Sequence, residues 1–194
     1  MNVVIIQYNA GNIRSVEFAL RRIGIEATIT SDAEEISRAD KVIFPGVGEA
    51  SSAMKFLMKN NLDRIIPALT QPVLGICLGM QLLCNHSEEN NTTCLKVFDT
   101  NVIRLNGELK VPHVGWNTLE NMKGSLFEKL GVEPYCYFVH SYVAELCPFT
   151  IAETTYGKGF SSALQKDNFF GVQFHPEKSA AQGQSILKSF IELK

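Results

Sequence analysis

Apolar positions in the first half of the chain fall into two alternating rhythms. Val3 to Tyr8 is a short apolar run fit for a buried strand. Ile13, Val16, Leu20 and Ile23 then recur at helical spacing, and Gly24 stands where a helix would stop. Ile25 to Thr30 alternates like a strand, and Ser31 with Glu34 has the spacing of a capping box for a following helix. Val42 to Phe44 predicts a third strand, ended by Pro45-Gly46-Val47-Gly48, with a helix from about Ala50 to Lys59 after it. Val73 to Ile76 predicts a strand running into Cys77. Strands alternating with helices predict an α/β fold with a largely parallel central sheet.

The rhythm changes in the second half. Cys94 to Leu105, Tyr135 to Val143, Thr150 to Tyr156, Phe160 to Leu164 and Phe169 to Phe174 all read as strands, and Asp167-Asn168 suits a hairpin turn. Ala180 to Leu193 closes the chain as an amphipathic helix with Ile186, Leu187, Phe190 and Ile191 as its buried stripe. Antiparallel additions should therefore make the sheet mixed. No repeat or linker divides residues 1–194, so a single domain is expected.

Composition narrows the function. Lys and Arg number 18 against 20 Asp and Glu, and a net charge of −2 supplies no basic field for nucleic acid or an anionic membrane. No apolar span is long enough to cross a bilayer, and the first segment lacks the flanks of a signal peptide, so a cytoplasmic protein is expected. The cysteines are Cys77, Cys84, Cys94, Cys136 and Cys147, an odd set without C-x-x-C spacing. That argues against a disulfide framework and against a zinc site, and leaves room for one reactive thiol.

Cys77 is the candidate. Gly75-Ile76-Cys77-Leu78-Gly79 has the G-x-S-x-G spacing of a nucleophile elbow, with cysteine in the serine position. Such a turn lifts the sulfur above the sheet at a helix N-terminus, where the helix dipole favours the thiolate. A buried core cysteine is the commoner fate of this residue type, and the other four cysteines read that way. A thiol acting on an amide needs a base, a group to orient it, and donors for the oxyanion. His175-Pro176-Glu177 follows an apolar strand, and the proline should keep His175 extended. Residues two apart in extended chain share a side, which suits an imidazole oriented by a carboxylate. His86, in a polar stretch, reads as solvated. Leu78 N–H is the expected first oxyanion donor, and Val47 in the loop Pro45-Gly46-Val47-Gly48 the second.

Together, Gly75-Ile76-Cys77-Leu78-Gly79-Met80-Gln81 and Phe174-His175-Pro176-Glu177-Lys178-Ser179 resemble class I (triad) glutamine amidotransferases. Within them, Tyr8-Asn9-Ala10-Gly11-Asn12, Phe44-Pro45-Gly46-Val47-Gly48, Pro112-His113-Val114-Gly115-Trp116-Asn117 and Val139-His140-Ser141-Tyr142 resemble the glutaminase subunits of imidazole glycerol phosphate synthases. The resemblance implies a flavodoxin-like α/β fold: a mixed, mainly parallel central sheet with helices on both faces. It implies glutamine as substrate, hydrolysed by Cys77, His175 and Glu177 without metal or cofactor. By the same resemblance Gly46, Gly48, Gln81 and Glu89 hold glutamine with the backbone of His140, Ser141 and Tyr142. Asn12, Trp116 and Lys178 match the side facing a cyclase subunit of (β/α)₈ barrel fold, the heterodimer partner in a step of histidine biosynthesis. Val114 stands where that family often has methionine. Read from the residues, Trp116 fits a core as well as an interface, and Glu89 fits a solvated loop. Three rivals stay open: another triad glutaminase system, a paralogue feeding surface-sugar amidation, and an inactive binding module. Val47 and the 112–117 segment weigh against the first, and an intact triad against the last.

Overall fold

The computed structural model describes residues 1–8, 12–106 and 109–193. Its first half runs β1 (Val3–Ile6), α1 (Ile13–Arg22), β2 (Ala27–Thr30), α2 (Ala33–Ser37), β3 (Lys41–Gly46), α3 (Ala50–Lys59), α4 (Leu62–Ile65), β4 (Val73–Cys77) and α5 (Leu78–Leu82). The second half runs β5 (His86–Ser87), β6 (Thr92–Thr93), β7 (Asn101–Arg104), β8 (His113–Thr118), β9 (Tyr135–His140), β10 (Tyr142–Ala144), β11 (Thr150–Tyr156), β12 (Lys158–Lys166), β13 (Phe169–Val172) and α6 (Ala180–Glu192).

The strands β2-β1-β3-β4-β13 form a parallel block. From β13 the sheet continues antiparallel through β12, β10 and β7, with β11 also paired to β12. β8 and β9 form a separate antiparallel ribbon. This is the α/β architecture with a mixed sheet that the alternating pattern predicts. Side-chain alternation explains the layering. Val3, Ile5, Ile43 and Leu74 point to one face and pack with Val16 and Leu20 of α1 and with Ile186, Leu187 and Phe190 of α6. Val4, Ile6, Val42 and Phe44 point to the other and meet Leu57 of α3 and Met80 of α5. Ile186, Leu187 and Phe190 are fully buried, each contributing roughly 1.5–3 kcal/mol by leaving water.

Four local expectations change. Asp32, not Ser31, caps α2, accepting from Glu34 N and Glu35 N at 2.9 Å each. Of Cys94 to Leu105 only Asn101–Arg104 is strand. The run Tyr135 to Val143 breaks at Ser141, where the chain leaves the small ribbon and joins the main sheet. His113–Thr118, not read as a strand from its pattern, is one. The Asp167-Asn168 turn is as expected, joining Lys166 to its partner Phe169. Of the Tyr8 to Asn12 motif, residues 9–11 lie outside the described residues.

Candidate active site

β4 delivers Cys77 into a sharp turn before α5. The cysteine backbone sits at φ 53°, ψ −109°, a conformation that costs an ordinary residue about 1–3 kcal/mol. Close packing around it leaves no room for side chains at the flanking glycines. A Cβ on Gly75 would lie 2.8 Å from Met80 N, and one on Gly79 would collide with the Phe44 carbonyl oxygen. The glycine spacing is therefore a steric requirement of the elbow. Cys77 is nearly buried, and its Sγ lies 3.9 Å from the Val139 carbonyl oxygen, to which a thiol can donate.

His175 is extended, at φ −101° and ψ 96°, and Pro176 opens a 3₁₀ turn through Lys178. That turn, rather than a continuing strand, brings Glu177 back beneath the ring. His175 Nδ1 lies 2.7 Å from Glu177 Oε1, with both side chains buried. An ionised carboxylate only accepts, so the proton belongs on Nδ1 and Nε2 is left to serve the thiol. Nε2 is buried and has no hydrogen-bond partner among the described residues. Burial acts to lower the imidazole pKa, but the neighbouring Cys77 and Glu177 outweigh it and hold the group at about 10. The site thus favours the protonated ring, the state His175 reaches when it takes the thiol proton. Asn12, at the N-cap of α1 with φ 75°, donates its side-chain amide to Glu177 Oε1 as well. Ser179 braces the turn: its Oγ donates to His175 O at 2.7 Å and accepts from Tyr137 N at 2.9 Å.

Beside the sulfur opens a cavity of about 380 Å³. Cys77 and Leu78, Val47 and Gly48, Gln81 and Glu89, and the segment His140-Ser141-Tyr142 all line it. Nearly every residue expected to touch substrate thus meets in one place. Gly46 is the exception: it does not line the cavity. β3 runs on through Pro45 and Gly46, which pair with Ile76 and Cys77, and Gly46 packs against Leu78 and Tyr8. Val47 is the first residue past the strand, and Gly48 at φ 122° takes a conformation that favours glycine. Glu89 accepts from Ala50 N at 2.8 Å, and burial holds its carboxyl above the usual range despite that bond. Glu89 is thus tied into the wall and partly buried.

Gln81 Nε2 donates to the Tyr142 carbonyl at 2.9 Å and to Gln173 Oε1 at 3.0 Å. Gln173 was not distinguishable in sequence from any residue near a strand end, yet it is fully buried against Cys77. A second chain of polar contacts supports the opposite wall. His140 Nδ1 faces the Tyr142 carbonyl at 3.0 Å, and His113 Nδ1 faces His140 Nε2 at 3.1 Å. The carbonyl can only accept, which sets both tautomers in series. Burial pushes His113 down to about 4 and His140 to about 3, the latter helped by its histidine neighbours.

Around the site, Trp116 is 50% exposed, Val114 55% and Tyr135 56%, all on the β8–β9 ribbon. Trp116 is therefore no core residue. It meets the Tyr137 ring edge-on, and Lys178 Nζ lies 5.8 Å from that same ring. His86 is half-buried and bonded to Asn91 at 2.9 Å. Cys84, Cys94 and Cys136 are buried with thiols pushed up by burial, the latter two to about 12, which suits structural roles. Among the described residues no group of three or more His, Cys, Asp or Glu could hold a metal ion, and no helix is long and apolar enough to cross a membrane.

Comparison with known proteins gives consistent relatives. The family model for glutamine amidotransferase class-I matches residues 4–193. The imidazole glycerol phosphate synthase subunit HisH of Bacteroides fragilis (strain YCH46) is 56% identical, over 100% of both chains. The same-named subunit of Bacteroides thetaiotaomicron is 54% identical, again over 100% of both chains. A crystal structure titled glutamine amidotransferase superposes with a TM-score of 0.77 at 22% identity, covering 98% of each chain, which supports the fold.

Proposed function

The chain belongs to the class I glutamine amidotransferases and, within them, to the imidazole glycerol phosphate synthase subunit HisH family, and from that premise we propose how its residues release ammonia from glutamine. It is the glutaminase subunit of imidazole glycerol phosphate synthase, an enzyme of histidine biosynthesis. The observation that carries the residue assignment is the convergence of Cys77, Gln81, Glu89 and the 140–142 segment on one cavity.

Glutamine enters with its side-chain amide toward Cys77. Glu89 receives the α-ammonium group, while Gln81 and the 140–142 backbone orient the remaining polar atoms. His175 Nε2 takes the thiol proton, and Sγ attacks the amide carbon. The N–H groups of Leu78 and Val47 hold the oxyanion, where loss of one such donor typically costs ~10²–10³ in rate. His175 returns the proton to the departing nitrogen, so ammonia leaves and a thioester remains. Water, deprotonated by the same imidazole, then releases glutamate and restores the thiol. Glu177 keeps the proton on Nδ1 and stabilises the imidazolium, and Asn12 steadies Glu177.

Ammonia passes to a cyclase subunit, a (β/α)₈ barrel acting on phosphoribulosyl-formimino aminoimidazole carboxamide ribonucleotide. The pair works as a cytoplasmic heterodimer, and the chain serves as one domain over residues 1–194. Cys77→Ala tests the division of labour. Glutamine-dependent synthesis by the complex should vanish, while synthesis fed with ammonium salts continues. Loss of both in a mutant that still pairs with the cyclase would overturn it.

A further inference from the structure

The mechanism above leaves unused a buried polar side chain that touches the nucleophile. Val172 pairs with Ile76 in the parallel register of β13 and β4, so the next residue along, Gln173, comes to lie beside Cys77. Its backbone N–H donates to Ser162 O at 2.9 Å, and its side chain is fully buried. A buried amide group requires partners for both ends. Here those partners fix which way the amide points. Gln81 Nε2 faces the Tyr142 carbonyl, which can only accept, so the Gln81 nitrogen is unambiguous. The same nitrogen donates to Gln173 Oε1 at 3.0 Å, which leaves Gln173 Nε2 toward the sulfur at 3.6 Å. The result is a directed relay from the glutamine-binding wall to the nucleophile.

We propose that Gln173 is a further catalytic residue, whose side-chain N–H donates to the Cys77 sulfur and stabilises its negative charge during attack. This rests on Cys77 being the nucleophile. When the thiol ionises, the S–H bond breaks, an N–H bond forms at His175 Nε2, and the electron pair stays on sulfur. An amide N–H neither gains nor loses a proton in that step, so Gln173 supports the anion without competing with His175 as base. Hydrogen bonds to an ionised partner are stronger than neutral ones, and a water-poor site strengthens them further. The donor at Gln81 polarises the Gln173 amide in the sense that improves its N–H. Groups that bind substrate at Gln81 therefore act on the reactivity of the sulfur through one side chain.

Two variants separate this role from packing. Gln173→Met keeps the length, removes the donor, and leaves Gln81 Nε2 with the Tyr142 carbonyl. Gln173→Glu keeps an acceptor for Gln81 and sets a carboxyl against the sulfur. Each is measured as the complex with the cyclase, with co-elution as the check on folding. The rate of Cys77 alkylation by iodoacetamide is followed against pH, with the modified residue located by mass spectrometry. In Gln173→Met the pH midpoint should rise by about one unit, and in Gln173→Glu by more. Glutaminase kcat should fall roughly tenfold, with a smaller change in KM. Unmoved midpoints in co-eluting variants, with Cys77 still the alkylated residue, would overturn the inference. Alkylation of some other cysteine in the native complex would instead overturn the assignment of Cys77 as nucleophile.

Discussion

The ring of His175 is held between two acids, the Cys77 thiol and the Glu177 carboxyl, in a pocket that by itself disfavours charge. Burial lowers its pKa, yet the two neighbours lift the group to about 10. Removing the carboxylate charge should therefore release the burial effect. Glu177→Gln is expected to bring the His175 titration well down from about 10, because only the thiol remains to oppose burial. Glutaminase activity should fall less than in His175→Ala, since the glutamine oxygen still accepts from Nδ1. An NMR titration of the ring carbons reads the first effect and steady-state kinetics the second. An unchanged titration would mean that Glu177 only orients the ring. At this scale the sequence was most informative: the elbow and the His-Pro-Glu triplet are local, and their spacing carries their chemistry. Asn12 was legible only as a match to the partner-facing side, because its bond to Glu177 spans the chain from α1 to the 3₁₀ turn.

The parallel half was readable because β1, β3, β4 and β13 are short runs buried throughout, and the partly exposed edge strand β2 keeps a strand's alternation. The 94–105 segment misled because its backbone groups are satisfied elsewhere. Leu95 N bonds to Leu82 O, while Val97 N and Phe98 N both bond to Leu83 O, so the end of α5 takes the place of a ladder. The break at Ser141 was equally hidden, since nothing in a run of apolar residues says that its two ends join different sheets. That break shapes the wall of the cavity, and Gln173 depends in the same way on β13–β4 register. The β8–β9 pairing also places His113 opposite His140, which makes an acid-sensitive element. Tyr156, Phe138 and Phe160 pack around these rings, and His175 adds its repulsion to His140. Folded, the two histidines titrate at about 4 and about 3, below the ordinary value of 6.5. Unfolded chains therefore take up protons that the folded chain refuses, and stability must fall as pH drops from about 6.5 towards about 4. Urea midpoints of the subunit should decrease over that interval, and His113→Gln should flatten the slope. A native midpoint that holds constant or rises on acidification would show that the pair is not buried neutral.

For the whole molecule, the 3₁₀ turn that carries Glu177 ends at Lys178, whose Nζ reaches the Tyr137 ring of the β8–β9 ribbon and so ties the triad to that ribbon. Val114, Trp116 and Tyr135 stand half exposed on the ribbon, with Tyr137 and Lys178 beside them. Exposed aromatic groups next to a site that makes a diffusible product suit an interface, since a docked partner would receive ammonia before it reached solvent. We expect the cyclase to seat on this ribbon with Trp116 as an anchor. Tryptophan is among the residues that dominate binding energy, and its truncation in such a place costs ~2 kcal/mol or more, at least tenfold in Kd. The same truncation should cost the isolated subunit little, because half of the side chain already faces water. Trp116 is the single tryptophan in the sequence, so native fluorescence reports on this position alone. Titrating the cyclase into the native subunit should shift that emission, and Trp116→Ala should weaken association in a calorimetric titration while leaving the thermal midpoint of the free subunit nearly unchanged. Unaltered affinity together with a destabilised subunit would make Trp116 a support for the ribbon and place the partner on another face.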